Sequence, residues 1–122
     1  MASNRVIGEF EFRCSGYETN CSWGHEVELY VHGVRVLKTR KRYYNRTWEA
    51  YEYQSVMRDA LAQYKDAMLA EILTKHKIEN GLERLSAKRK KQLTEEFKQT
   101  ADYKELVEVS VCIENGEYKE VM

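Results

Sequence analysis

Proline does not occur in this 122-residue chain, and no internal repeat, low-complexity tract or linker divides it, so it reads as one domain, residues 1–122. No apolar run approaches the roughly 20 residues that span a bilayer, so no membrane partner is expected. Residues 1–5 lead straight into a strand-like pattern without the apolar core of a signal peptide, which makes the cytoplasm the expected compartment. Cysteine is scarce and odd in number: Cys14, Cys21 and Cys112. That argues against a closed disulfide framework. No CxxC occurs, and the spacing of Cys14 and Cys21 to His25 and His32 matches no common zinc pattern, so these are expected to be ordinary thiols and no metal is expected.

Catalytic signatures are also missing. There is no GxSxG, no HExxH, no P-loop and no GxGxxG. The three histidines, His25, His32 and His76, are scattered, and none forms a recognisable nucleophile–base pair with a neighbouring Cys or Ser. The chain therefore reads as a binder rather than an enzyme, with no cofactor. An excess of one charge is absent too: 20 basic residues balance 20 acidic ones. Nucleic acid, which calls for a strongly basic footprint, is not the favoured partner.

Apolar residues make up 43% of the chain and charged residues 33%, which is enough for a core and too apolar for disorder. Residues 5–14 alternate, with Val6, Phe10, Phe12 and Cys14 on one side and Glu9, Glu11 and Arg13 on the other. Residues 15–24 carry turn chemistry and read as a loop. Residues 26–31 alternate again, His32-Gly33 suits a tight turn, and residues 34–42 return as a third strand. A helix is expected from Trp48, capped by Asn45 or Thr47, with Tyr53, Met57, Ala60, Leu61, Tyr64, Met68 and Ile72 recurring at three- and four-residue steps to about Ile78. Asn80-Gly81 supplies its stop. A second helix follows from Leu82 or Ser86 to Thr100. Val107, Val109, Val111 and Ile113 then alternate with polar residues, and Asn115-Gly116 reads as a hairpin turn into a last strand. The expected fold is α+β: an antiparallel sheet (βββ, then ββ) with a long α-helical hairpin inserted between the strand groups.

The most unusual stretch is residues 38–58, KTRKRYYNRTWEAYEYQSVMR. A basic strand end (Lys38, Arg40, Lys41, Arg42) runs into two tyrosines, a helix cap and an aromatic first turn. Free N–H groups and the positive dipole end of a helix favour phosphate. Arg42 and Arg46 flank that end, and guanidinium forks match phosphate oxygens. Tyr44 and Trp48 offer flat faces on which a purine stacks. Asn45 completes the set, and Arg58 joins it if a ligand or neighbouring subunit lies along the helix. The competing account is structural: the aromatics anchor the helix on the sheet and the basic strand end discourages edge pairing. The run Lys88–Lys91 reads as a solvated helix face.

The segment YYNRTWEAYEYQSVMRDAL, residues 43–61, resembles a segment of small bacteriophage and prophage proteins. The layout of N-terminal strands, long helical pair and closing strands is similar to that of the Thoeris anti-defence sponge family. This resemblance implies a protein acting inside an infected bacterial host. It implies sequestration, without degradation, of a cyclic ADP-ribose isomer made by TIR-domain immune enzymes, in pockets formed on an oligomer. The alternative is a phage inhibitor that binds a host defence protein directly, in the manner of an anti-CRISPR protein. A homo-oligomer, at least a dimer, is expected because the apolar face of the long helix (Met57, Leu61, Tyr64, Met68) exceeds what one thin second helix covers.

Overall fold

The computed structural model describes residues 3–18, 23–43 and 51–121. Four strands come first: β1 (Ser3–Ile7), β2 (Phe10–Glu18), β3 (Trp23–Val31) and β4 (Val34–Tyr43). Three helices follow, α1 (Tyr51–Glu79), α2 (Ala87–Phe97) and α3 (Ala101–Asn115), and a short β5 (Lys119–Val121) closes the described chain. The architecture is α+β, with one antiparallel sheet in the order β4-β3-β2-β1-β5. The helices pack on the face that carries Phe12, Val27 and Leu29, and among the described residues no element covers the opposite, open face.

Turn chemistry sets the register. Gly8, at φ 56°, opens a two-residue hairpin that pairs Ile7 with Phe10. The expected single strand over 5–14 is therefore two strands. The hairpin reverses the parity of its first half: Arg5 stands opposite Phe12 on the helix side, whereas Val6 stands opposite Glu11 on the open side. Simple alternation puts Val6 inward, yet Arg5 is the residue that is buried. The expected loop over 15–24 is largely strand, because β2 continues to Glu18 and β3 begins at Trp23. His32-Gly33 forms the expected tight turn, with positive φ at both residues.

The helix-side core joins Phe10, Phe12, Cys14, Val27 and Leu29 of the sheet to Val56, Met57, Ala60 and Leu61 of α1 and to Leu106, Val109 and Ile113 of α3. Each fully buried Leu, Val, Phe or Met side chain contributes about 1.5–3 kcal/mol relative to exposure. α1 spans 29 residues and ends at the expected Gly81, which takes φ 62°. Ser86, one of the two expected starts of the second helix, caps α2, its side chain accepting a hydrogen bond from the Arg89 backbone N–H. Lys88, Arg89, Lys90 and Lys91 lie exposed on that helix.

Residues 107–113 are helical, not the expected strand. Two termini decide this. The Thr100 hydroxyl accepts from the Tyr103 N–H at the start of α3. At its end Gly116 takes φ 68°, and the Glu117 N–H reaches the Cys112 carbonyl at 2.8 Å. Asn115-Gly116 is thus a helix stop rather than a hairpin turn. The buried residues Leu106, Val109 and Ile113 follow the helical period, which the run of alternating valines overwrites in the sequence.

Candidate functional site

Antiparallel pairing brings the basic end of β4 beside the start of β3: Lys41 pairs with His25 and Arg42 with Gly24. The approach is tight, since a Cβ on Gly24 would lie 2.1 Å from the Lys41 carbonyl oxygen. Only glycine fits there. Lys41 projects to the helix side, where its ammonium donates to the Ser55 hydroxyl of α1. Thr39, two residues earlier on the same side, accepts from the Gln63 amide at 2.9 Å. These two bonds fasten β4 along the flank of α1, so the cation run and the first turns of the helix share one end of the molecule.

Beneath that end lies a buried polar layer that periodicity does not reveal. Arg5 is 6% exposed. Its guanidinium carbon lies 5.1 Å from the ring centre of Tyr53 and 5.0 Å from that of Tyr118. Its Nε stands 3.4 Å from the Glu120 carboxylate, and one terminal nitrogen meets the Met57 sulfur at 3.6 Å. His25, 2% exposed, stacks on Tyr53 with ring centres 4.0 Å apart. Burial, reinforced by Arg5, holds the His25 pKa below its usual value, so the imidazole is neutral at neutral pH. Burial pushes the Cys14 thiol up to about 11. Burial likewise raises the Tyr53 phenol, with Cys14 adding and Arg5 opposing. One fixed cation therefore sits among neutral rings and a protonated thiol. Cys14 and Cys112 are both free. Among the described residues no group of three His, Cys, Asp or Glu is placed to hold a metal ion.

Of the six residues expected to bind ligand, Tyr44, Asn45, Arg46 and Trp48 lie outside the described residues, as do the expected caps. Arg42 lies in β4, one residue before its end. Arg58 stands on the flank of α1 that faces α3, where the Glu114 carboxylate takes its guanidinium in two contacts, one of them 3.1 Å. It lines a groove of about 290 Å³ between those helices, floored by Leu61 and Leu106 and edged by Lys65, Val107 and Val111. The structure thus brings Lys41 to Ser55 and gives Arg58 a carboxylate partner.

The open sheet face has its own chemistry. The guanidinium of Arg13 lies over Tyr30 at 3.8 Å and that of Arg40 over Tyr17 at 4.9 Å. Glu26 is bonded by both Arg40 and Lys38. Burial alone would raise its pKa, but those two cations outweigh it and hold the carboxyl below its usual range.

Comparison with protein-family models, curated proteins and solved structures returns no match. None of the described helices is long and apolar enough to cross a membrane.

Proposed function

We propose that this chain is a non-catalytic binding protein that holds a small phosphate-bearing nucleotide of the cyclic ADP-ribose kind and keeps it from its receptor. One observation carries the reading. The Lys41–Ser55 bond ties the basic end of β4 to the first turns of α1, so the seven residues between Tyr43 and Tyr51 are bracketed by cations on one side and a helix start on the other. Those residues include Tyr44, Asn45, Arg46 and Trp48. Cations and a helix start suit phosphate, and aromatic planes suit adenine. Sequestration rather than turnover fits the chemistry of the neighbouring layer. Its histidine is neutral and its thiol protonated.

The test is a melting curve of the intact chain with and without cyclic ADP-ribose isomers, followed by chromatography of the recovered ligand. Binding to the folded state alone adds about 2.7 kcal/mol at a ligand concentration one hundred times Kd. A rise in Tm with the ligand recovered unchanged is expected. An unmoved Tm across the isomers, or a new product peak, overturns the reading.

The open sheet face favours a second reading, a direct inhibitor of a host defence protein. Tyr17 and Tyr30, each beneath an arginine, combine a large apolar body with a polar rim, which suits a protein interface. Loss of host-protein capture on Arg13→Glu, in a chain that ignores nucleotides, would select it.

A further inference from the structure

We propose that α3 is a self-complementary interface through which two copies of this chain pair, antiparallel, about a twofold axis. The apolar face of α1 that first suggested an oligomer is used within the chain: Met57 and Leu61 are buried, and Tyr64 and Met68 pack against the core. An exposed apolar stripe lies instead on α3. Val107 and Val111, one helical turn apart on α3, are 44% and 51% exposed. Lys104 and Glu114 continue the same stripe toward its two ends, both exposed.

The order of these four residues identifies the occupant. A twofold axis crossing α3 midway between Val107 and Val111 is also midway between Lys104 and Glu114. Antiparallel pairing about it sets Val107 against the partner copy's second valine and Lys104 against the opposite carboxylate, twice over. An interface of this kind must be self-complementary, and this stripe is. Lys104 has no ion pair within its own chain among the described residues, whereas Glu114 is held by Arg58, so the carboxylate arrives positioned. Glu108 lies to one side of the stripe. Val107 and Val111 also edge the groove between α1 and α3, so pairing roofs it. The proposal does not depend on the nucleotide reading.

The test is the solution mass of the ligand-free full chain by light scattering, with melting curves as folding controls. Wild type is expected at twice the 14.5 kDa chain mass at high micromolar concentration. Val111→Glu, on an exposed helix position, is expected to be a folded monomer. Lys104→Glu sets carboxylate against carboxylate and is expected to raise the dimer dissociation constant about tenfold or more. Lys104→Glu with Glu114→Lys restores opposite charges across the axis and is expected to recover dimerisation. The ammonium that this double variant sets beside Arg58 stands at a half-exposed position and costs little. A monomeric wild type, or an undiminished dimer in Val111→Glu, overturns the proposal. Monomers in both the single and the double charge variants overturn the antiparallel register.

Discussion

The ring of His25 lies nearly parallel to that of Tyr53, with planes 28° apart and centres 4.0 Å apart, and this stack joins β3 to the first turn of α1. It has a consequence for pH. Burial and Arg5 lower the His25 pKa in the folded chain, so below about 6.5, the ordinary histidine value, the unfolded chain binds a proton that the folded chain does not. Stability contributed by neutral His25 is complete above that pH and falls as acidification proceeds toward the depressed value. Tm measured from pH 8 to pH 5 should drop more steeply in wild type than in His25→Phe, which keeps the stack and has nothing to protonate. Parallel curves would show that His25 does not set the slope.

Arg5 and Glu120 are paired but unequally placed, with side chains 8% and 57% exposed. Removal of each should therefore differ. Arg5→Ala takes a long stem from under two tyrosine rings and should cost about 2–4 kcal/mol, mostly through lost packing. Glu120→Gln alters a largely solvated partner and should cost less than about 1 kcal/mol. Arg5→Met, which refills the volume without a charge, should recover most of the loss. Chemical denaturation of the three variants checks the order. Equal losses in Arg5→Ala and Glu120→Gln would make the ion pair, rather than the packing, the source of stability.

Gly24 is confined by its neighbour strand rather than by its own φ. Its added Cβ would meet the Lys41 carbonyl oxygen at 2.1 Å and the Tyr17 hydroxyl at 3.0 Å. The backbone must then part, so Gly24→Ala should destabilise by about 1–3 kcal/mol. Gly16→Ala, on the adjacent strand with its nearest contacts at 3.9 Å, is the control and should cost less. Amide exchange in β4 should rise in the first variant and not in the second.

Much of this fold is legible from the chain, and the failures have physical causes. The Asn80-Gly81 stop and the His32-Gly33 turn are local chemistry, and both stand where the residues place them; of the two starts open to the second helix, Ser86 is the one used. Arg5 is hidden in the sequence because Gly8 turns the chain between two short strands and exchanges inside for outside, and a run of alternating residues carries no mark of that reversal. Gly8 beside Glu9 is the available signal. α3 escapes a periodicity reading because four apolar residues at alternate positions imitate a strand, while Thr100 with Asp102 close behind and Gly116 beyond the end bracket a helix of 15 residues. Of the site, the cation run of β4 is visible in sequence, but its bond to Ser55 joins residues that only the fold brings together.

The helical assignment of 101–115 is itself testable at its ends. Thr100→Ala removes the side chain that accepts the Tyr103 N–H and should cost about 1 kcal/mol. Gly116→Ala forces a side chain into positive φ, with nothing crowding the added Cβ, and should cost about 1 kcal/mol through backbone strain alone. Asn is the residue that best tolerates this conformation after glycine, so Gly116→Asn should cost less. Were 107–113 a strand leading into a hairpin, Thr100→Ala would be silent.

The contrast between Arg46 and Arg58 separates a phosphate grip from a structural pair. If the segment between β4 and α1 holds the ligand, Arg46→Ala removes a charge-assisted contact and should weaken binding by about 1.5–3 kcal/mol, roughly tenfold to a hundredfold. Arg42→Ala should act in the same direction. Arg58 faces α3 with its fork taken by Glu114, so its loss should leave affinity within about twofold and lower stability by less than about 1 kcal/mol, as half-exposed ion pairs do. Isothermal titration of the three variants with a cyclic ADP-ribose isomer, beside their melting curves, reads both quantities. A folded Arg46→Ala with wild-type affinity removes that residue from the grip. A large loss in Arg58→Ala would instead move the ligand to the groove between α1 and α3, where Lys65 and Tyr103 are the next residues to change.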